Sequence, residues 1–363
     1  MGLSCGLIGL PNVGKTSVFN ALVGAGGVVA NYPFSTVATQ VGVSAIPDAR
    51  LSRLAEIFSS KKVTPSTLEI RDIAGLVQGA SHGEGLGNQF LAEIREVDAL
   101  LHLVRCFHDS NIVHVAGELD SRRDISMIES ELMLTDLATL ERRRDRIEKK
   151  VKRGERSQKQ EYDLLMRVES LLNEGQWLYG KEFSSEDQLL LKEFQLLSTK
   201  PVFFVANVAE GMDVDDPLVV PVIEAAQHRK TKAIVLAGQM EAELATLSEQ
   251  ERAEFFQALG LKESGLQRLM AIAHEMLGLI TFFTAGEEEA RAWTIKKDTK
   301  AHEAAGKIHS DMQRGFIRAE VFAYSDLIEC GSPVAVREKG LFRLEGRDYV
   351  VKEGDVMYFR FNV

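Results

Sequence analysis

The run Gly9-Leu10-Pro11-Asn12-Val13-Gly14-Lys15-Thr16 has the residue types and spacing that hold a nucleotide diphosphate. In a G-x-x-x-x-G-K-[ST] loop the glycines let the backbone wrap the phosphates. The N–H groups of Asn12, Val13, Gly14, Lys15, Thr16 and Ser17 then turn toward the anion, Lys15 adds a positive charge and the Thr16 hydroxyl sits on Mg²⁺. A strand-like stretch at residues 3–8 leads into the loop and a helix-like run at 16–22 leads out. The loop therefore opens a helix, where unpaired N–H groups and the helix dipole favour an anion.

A second acidic strand end should share the metal. Asp72-Ile73-Ala74-Gly75 fits: Asp72 binds Mg²⁺ through water and the Gly75 N–H senses a γ-phosphate. Beyond it, Gly79, Gly83, Gly85 and Gly87 make a segment that is cheap to reorder, as a switch must be. Between the two motifs lies Asn31-Tyr32-Pro33-Phe34-Ser35-Thr36. A loop threonine ahead of the second acidic strand suits a further metal-binding hydroxyl, so Thr36 is expected as the other Mg²⁺ ligand.

Positioning these groups requires strands that end together. Short apolar runs at 3–8, 67–73, 99–105, 202–206 and 233–237 alternate with amphipathic segments and each ends in a loop with Gly, Asn or Asp. That is the pattern of an α/β fold around a largely parallel sheet. The gap between Arg105 and Val202 breaks the rhythm. Ile125, Ile128, Leu132, Leu137, Leu140, Ile147 and Val151 recur at helical spacing, and Tyr162, Leu165, Val168 and Leu172 follow after Gly154. Two helices in an antiparallel coiled-coil hairpin are predicted, joined over residues 152–159. The tip carries ten Lys or Arg against four Asp or Glu between Glu141 and Lys159. Such a run is ordinarily a solvated face of paired charges; in an otherwise acidic chain it also suits RNA. After residue 279 the texture changes to strands at 281–284, 291–295, 316–324, 347–351 and 356–362 around one helix at 301–313, a β-grasp arrangement.

Composition bounds the rest. The chain has 363 residues, 45% of them apolar, with a net charge of −10, which argues against nonspecific coating of nucleic acid by the whole surface; no DNA partner is expected. There is no run of 18 apolar residues, so no membrane span or membrane partner is expected. The first residues pass straight into a strand without a basic stretch, so no secretory leader is expected. Cys5, Cys106 and Cys330 lie far apart and form neither a disulfide framework nor a zinc motif, and a cytoplasmic location is the simplest reading.

Taken together the motifs resemble the YchF subfamily of Obg-related P-loop NTPases, the Obg-like ATPases. Gly9 to Lys15, Asn31-Tyr32-Pro33-Phe34, Asp72-Ile73-Ala74-Gly75-Leu76-Val77 and Gly83-Glu84-Gly85-Leu86-Gly87-Asn88 carry the likeness. So do Phe283-Thr284-Ala285-Gly286, Arg291-Ala292-Trp293-Thr294, Ala304-Ala305-Gly306-Lys307-Ile308-His309 and Phe361-Asn362-Val363. The resemblance implies a P-loop G domain at 1–122 and 199–278, a helical coiled-coil insert at 123–198 and a C-terminal TGS domain of β-grasp fold at 279–363. It also implies slow, Mg²⁺-dependent ATP hydrolysis used as a switch, with ribosome or RNA contacts through the hairpin and the TGS domain.

Two departures from a standard GTPase bear on the chemistry. Where a GTPase carries Asn-Lys-x-Asp, whose carboxylate reads guanine, the string is Asn207-Val208-Ala209-Glu210. Loss of that Asp weakens guanine selection without creating adenine selection. Asn207 has an amide able to accept from an adenine amino group. In YchF-like proteins a Glu at this place accompanies ATP preference, with the backbone of Val208 at the base; Gly238, Gln239 and Met240 would close over the ring. The second departure is Leu76, which follows Gly75 where a Ras-like protein has its water-orienting Gln. By resemblance two substitutes exist: Asn12, matching a position that helps hold K⁺ against the phosphates, and His114, matching a mobile-loop histidine proposed to act on the water. His102 lies in an apolar strand and reads as a core residue. His82 reads as a solvated loop position. A GTP-specific Obg-type assembly factor and a nucleotide-gated RNA adaptor with incidental hydrolysis are the competing readings.

Overall fold

The computed structural model describes residues 3–24, 28–30, 40–75, 86–152, 158–258 and 263–362. They form two compact units, Met1–Ser44 with Glu69–Leu269 and Ala45–Leu68 with Met270–Val363.

In chain order the elements are β1 (Ser4–Ile8), α1 (Lys15–Gly24), β2 (Val28–Ala30), β3 (Gln40–Ala45), α2 (Ala49–Phe58), β4 (Lys62–Thr64) and β5 (Thr67–Asp72). Then follow α3 (Leu86–Glu96), β6 (Ala99–Cys106), α4 (Ser121–Lys152), α5 (Lys159–Asn173), α6 (Ser185–Phe194), β7 (Val202–Val208), α7 (Val220–His228), β8 (Ala233–Leu236), α8 (Gly238–Thr246), α9 (Glu249–Ala258) and α10 (Gly265–Met276). The remainder is β9 (Leu279–Ala285), β10 (Glu289–Lys296), α11 (Ala301–Ile308), α12 (Ser310–Arg314), β11 (Phe316–Ala323), α13 (Tyr324–Cys330), α14 (Pro333–Glu338), β12 (Arg343–Glu345) and β13 (Asp355–Phe361).

The first unit is built on a seven-stranded sheet in the order β2-β3-β5-β1-β6-β7-β8. β5–β1, β1–β6, β6–β7 and β7–β8 pair in parallel, while β2 runs antiparallel to β3. Every residue of β1, β6 and β7 is buried, as expected of central strands covered on both faces. All five apolar runs of the sequence are strands of this sheet, so the loops that follow them open at one edge.

The helical insert falls in the same unit as the sheet. Ile128, Leu132, Leu140 and Ile147 of α4 are buried, as are Leu164, Leu165, Val168 and Leu172 of α5. The Asp136 carboxylate accepts from the N–H groups of Leu197 and Ser198, both at 2.8 Å, and from the Ser198 hydroxyl, which ties α4 to the chain entering β7. The basic stretch is partly neutralised within the insert: Arg143 pairs with Glu161 and Arg144 with Glu169.

The second unit departs from the expected boundaries. Residues 45–68, read from sequence as part of the nucleotide domain, pack here against the C-terminal strands. Asp48 caps α2 by accepting from the Arg50 N–H, and Leu51, Leu54 and Ala55 sit at helical spacing on one face. That face is buried among Phe283, Ala290, Ala292, Phe322 and Val356. β4 joins the edge of the six-stranded sheet, in the order β12-β11-β13-β9-β10-β4. The opposite face holds α11, whose Ala301, Ala304 and Ala305 pack close against Phe282, Val321 and Met357. The sheet does grip a helix, as a β-grasp requires, but α2, α13 and α14 cover its other side.

Two local expectations fail. The single helix expected over 301–313 breaks at His309, whose extended backbone (φ −158°, ψ 141°) lets its ring cap the Asp311 N–H at the start of α12. The strand expected at 347–351 lies instead at Arg343–Glu345. Tyr349 N–H folds back to Gly346 C=O, and only Val350 bridges to Lys300.

Candidate functional site

The loops after β1, β5, β6, β7 and β8 enclose a cleft of about 1140 Å³. It lies at the carboxyl edge of a parallel sheet, where strand ends and helix starts converge.

The phosphate loop forms its floor. Gly9 (φ 152°), Asn12 (φ 63°) and Gly14 (φ 95°) all have positive φ. Gly9 also has no room for a side chain, since a Cβ would lie 2.5 Å from the Leu103 carbonyl. Lys15 is buried, and its ammonium donates to the carbonyls of Gly9 (3.1 Å) and Leu10 (2.9 Å) across the mouth of the loop. Burial brings its pKa down to about 8 against the opposing pull of Asp72. Thr16 Oγ1 donates to Asp72 Oδ2 at 2.7 Å. Burial raises the Asp72 pKa, opposed by that hydrogen bond and by Lys15.

A hydroxyl and a carboxylate side by side at a phosphate loop are a hard-oxygen donor pair, which fits Mg²⁺. Two protein oxygens suit an ion that keeps waters and takes substrate phosphate oxygens for the rest. Among the described residues no group of three His, Cys, Asp or Glu offers a competing site. Thr36, expected as the further ligand, lies outside the described residues, as do Leu76, His82, Gly79, Gly83 and Gly85; Gly87, expected in the same glycine-dense loop, instead lies in the first turn of α3.

Asn207, at the end of β7, is buried, and its amide is committed at both ends. Oδ1 accepts from the Gly238 N–H at 3.0 Å and Nδ2 donates to the Val13 carbonyl at 2.8 Å. It thus fastens the phosphate loop to the start of α8. The expected acceptor for a base amino group is in this arrangement a positioning residue. Asn207, Ser17, Gly75, Val208, Glu210, Gln239 and Met240 line the cleft, together with Asn12, Gly14, Lys15, Thr16 and Asp72; Val13 and Gly238 are not among the lining residues. Glu210 is exposed.

Phe107, His108, Asp109 and Ile112 line the cleft as well, and sequence reasoning missed them. Their position after β6, one of the parallel strands, was the available signal. Arg105 holds this wall. Its buried guanidinium donates to the carbonyls of Phe107 (3.1 Å), Asp109 (3.2 Å) and Ile112 (3.1 Å) and stacks over the Phe107 ring.

His114 is not among the cleft-lining residues. It is buried, accepts at Nδ1 from the Ala116 N–H (3.2 Å) and therefore donates from Nε2 to Asp124 Oδ2 (2.8 Å). Both ring nitrogens are occupied, so acting on a water would require leaving Asp124. His102 is a core residue of β6, its pKa pushed down to about 3 by burial and then by Lys15.

A family model described as a 50S ribosome-binding GTPase matches residues 4–128. A second, the YchF GTPase C-terminal model, described as a protein of unknown function, matches residues 279–362. The chain is 46% identical to the ribosome-binding ATPase YchF of Bacillus subtilis over 367 residues, covering 100% of both proteins. The chain belongs to the YchF family. Two further members, the ribosome-binding ATPases YchF of Haemophilus influenzae and Escherichia coli O157:H7, are each 45% identical over the full length of both chains. The solved structure of the Schizosaccharomyces pombe YchF GTPase superposes with a TM-score of 0.86 at 32% identity, covering 99% of this chain and 98% of that one. The YchF fold thus accounts for the α/β architecture of both units. Among the described residues no helix is long and apolar enough to cross a membrane.

Proposed function

We propose that this YchF chain is a cytoplasmic, Mg²⁺-dependent ATPase that uses slow hydrolysis as a switch on the ribosome. The observation that carries the reading is the cleft itself. It joins a complete phosphate loop and a Thr16–Asp72 donor pair to a base wall without the guanine-reading aspartate. Asn207 braces the wall through two backbone bonds, and Glu210, on the exposed rim, stands where that aspartate would be. The full-length kinship to ribosome-binding ATPases supports adenine as the base and the ribosome as the partner.

Thr16, Asp72 and Thr36 would hold Mg²⁺, which when bound neutralises charge on the β- and γ-phosphates. Lys15 and the N–H groups of the loop bind the phosphates, and Gly75 senses the last of them. Asn12 is the residue we assign to a K⁺ ion, and His114 to the attacking water once freed from Asp124. With His114 held by Asp124, basal turnover should be near ~10⁻⁴ to 10⁻³ s⁻¹, the range of an unassisted switch protein. The helical insert at 123–198 and the C-terminal TGS domain are the regions proposed to meet ribosomal RNA. Equilibrium binding of ATP and GTP side by side, followed by turnover with and without K⁺ and ribosomes, tests the reading. A preference for GTP would overturn the substrate, and turnover indifferent to ribosomes would overturn the partner.

A further inference from the structure

One end of the C-terminal sheet carries an arrangement that stability alone does not favour. Arg318 on β11 and Arg360 on β13 are direct cross-strand partners, and both are exposed. Like charges directly opposite one another destabilise a strand pair. Arg360 grips Glu320 with both carboxylate oxygens, at 3.0 and 3.4 Å, whereas Arg318 and Arg337 make no ion pair among the described residues. Glu320 feels all three guanidinium groups, which hold its pKa below the ordinary glutamate value, Arg360 most strongly and then Arg318 and Arg337. Three positive charges therefore surround one negative charge, in a chain whose net charge is −10.

The apolar surroundings are also exposed. A bulge in the pairing between Phe316 and Arg318 turns consecutive residues outward, leaving Ile317 58% exposed beside Arg318. Phe361, at the end of β13, is 40% exposed. Ile317, Arg318, Phe359, Arg360 and Phe361 line a groove of about 490 Å³. Guanidinium groups match phosphate oxygens in a bidentate fork, and an exposed aromatic ring beside them offers a base a face to stack on.

We infer that this end of the C-terminal sheet is a single-stranded RNA contact, in which Arg318, Arg360 and Arg337 take backbone phosphates and Phe361 with Ile317 takes a base. The inference rests on the ribosome-bound reading above and places the RNA across the end of the sheet, where the Arg318–Arg360 pair on one face and Phe361 on the other share one groove. Charge complementarity selects the occupant: the surplus is of guanidinium groups, and the acidic surface of a second copy of this chain lacks the bases that Phe361 would stack on.

The test uses the full-length chain and a fluorescent single-stranded uridine oligomer, titrated at several salt concentrations. The double variant Arg318→Gln with Arg337→Gln leaves the Arg360–Glu320 pair intact. It should weaken oligomer binding by about tenfold and flatten the salt dependence by roughly 1.4 in log–log slope, the loss of two phosphate contacts on a single strand. Phe361→Ser should weaken binding with the salt slope unchanged. ATP turnover and melting temperature should stay at parental values. Unchanged oligomer affinity in the double variant would overturn the inference, and so would a polyglutamate peptide that binds as tightly and is lost in parallel. Co-sedimentation of the parental chain with purified ribosomes, run alongside, separates the two readings. An intact ribosome complex with unchanged oligomer affinity sinks the patch alone; arginine-dependent oligomer binding without ribosome association supports the patch and sinks the ribosomal reading.

Discussion

The side-chain amide of Asn12 donates to the backbone carbonyl of Val113 at 3.1 Å, joining the phosphate loop to the segment that carries His114. With Arg105 holding residues 107–112 from within and Asp124 holding His114, the segment is fixed at three points. A cation that draws the Asn12 amide toward the phosphates would have to break the first of them. Occupation of the site and the link to the His114 segment are thereby in competition for one amide, so that binding the cation would favour release of the segment.

Asn12→Ala removes that link. Hydrogen exchange of residues 107–117 should speed up, while global stability falls by about 1–3 kcal/mol, the worth of one neutral hydrogen bond plus the strain of alanine at the positive φ of position 12. If Asn12 also holds K⁺, stimulation of ATP turnover by K⁺ disappears in the same variant. Turnover that still rises with K⁺ would remove Asn12 from that role.

The base wall makes an opposite, constructive prediction. Val208→Lys combined with Glu210→Asp restores the guanine-reading string on the rim while leaving Asn207 and its two backbone bonds in place. A hydrogen bond to a charged acceptor contributes about 1.5–3 kcal/mol, so the GTP:ATP affinity ratio should rise by roughly 10- to 100-fold. Calorimetric titration with both nucleotides reads the ratio directly, and no change would mean that the base sits elsewhere. Asn207→Ala should instead weaken both nucleotides equally. It also leaves the Val13 carbonyl and the Gly238 N–H buried without partners, at a cost of about 1–3 kcal/mol each in melting experiments.

What the sequence disclosed follows from where each interaction is encoded. The phosphate loop was readable because its residues are contiguous and the flanking strand and helix follow directly in sequence; Asp72, 56 residues from Thr16, was readable only as an acidic residue ending an apolar strand ahead of a glycine. Asn207 was visible as an amide at a strand end, but its actual partners, Val13 and Gly238, are 194 and 31 residues away, so its bracing role was not. Phe107 and Ile112 carry no distinctive chemistry, and only the rule that ligands gather at the carboxyl ends of parallel strands points to them. The apolar face of α2 was readable, yet nothing local says which sheet it will cover.

His102 gives the fold a defined sensitivity to acid. Its ring is fully buried, tilted against Phe204 at 5.4 Å, and its Nδ1 has no hydrogen-bond partner among the described residues. Burial, with a smaller contribution from Lys15, lowers its pKa from 6.5 to about 3. The unfolded chain thus takes up the proton first. Stability from the neutral ring is fully present above pH 6.5 and is lost as the pH falls from there toward 3. At about 1.4 kcal/mol per pH unit the loss over that window is roughly 5 kcal/mol. His102→Leu cannot titrate, so its stability, followed by urea unfolding, should fall less steeply between pH 6.5 and pH 4 than that of the parent; parallel curves would mean that the ring is not the acid-sensitive group.

The excursion between β3 and β5 supplies the last prediction, because it separates stability from nucleotide binding. Leu54 is fully buried on α2, in the core that includes Phe283, Phe322 and Val356 of the second unit. Leu54→Ala removes that packing and leaves a cavity, at a cost of about 2–5 kcal/mol. If residues 45–68 belong to the C-terminal core, the loss appears as a lower melting temperature and faster hydrogen exchange in β9, β10 and β13. Affinity for ATP then stays within about twofold, because none of the cleft-lining residues lies in this segment. Were the segment an integral part of the nucleotide domain, as its place in the sequence suggests, the same substitution would loosen β1 and the phosphate loop, and ATP affinity would fall together with stability.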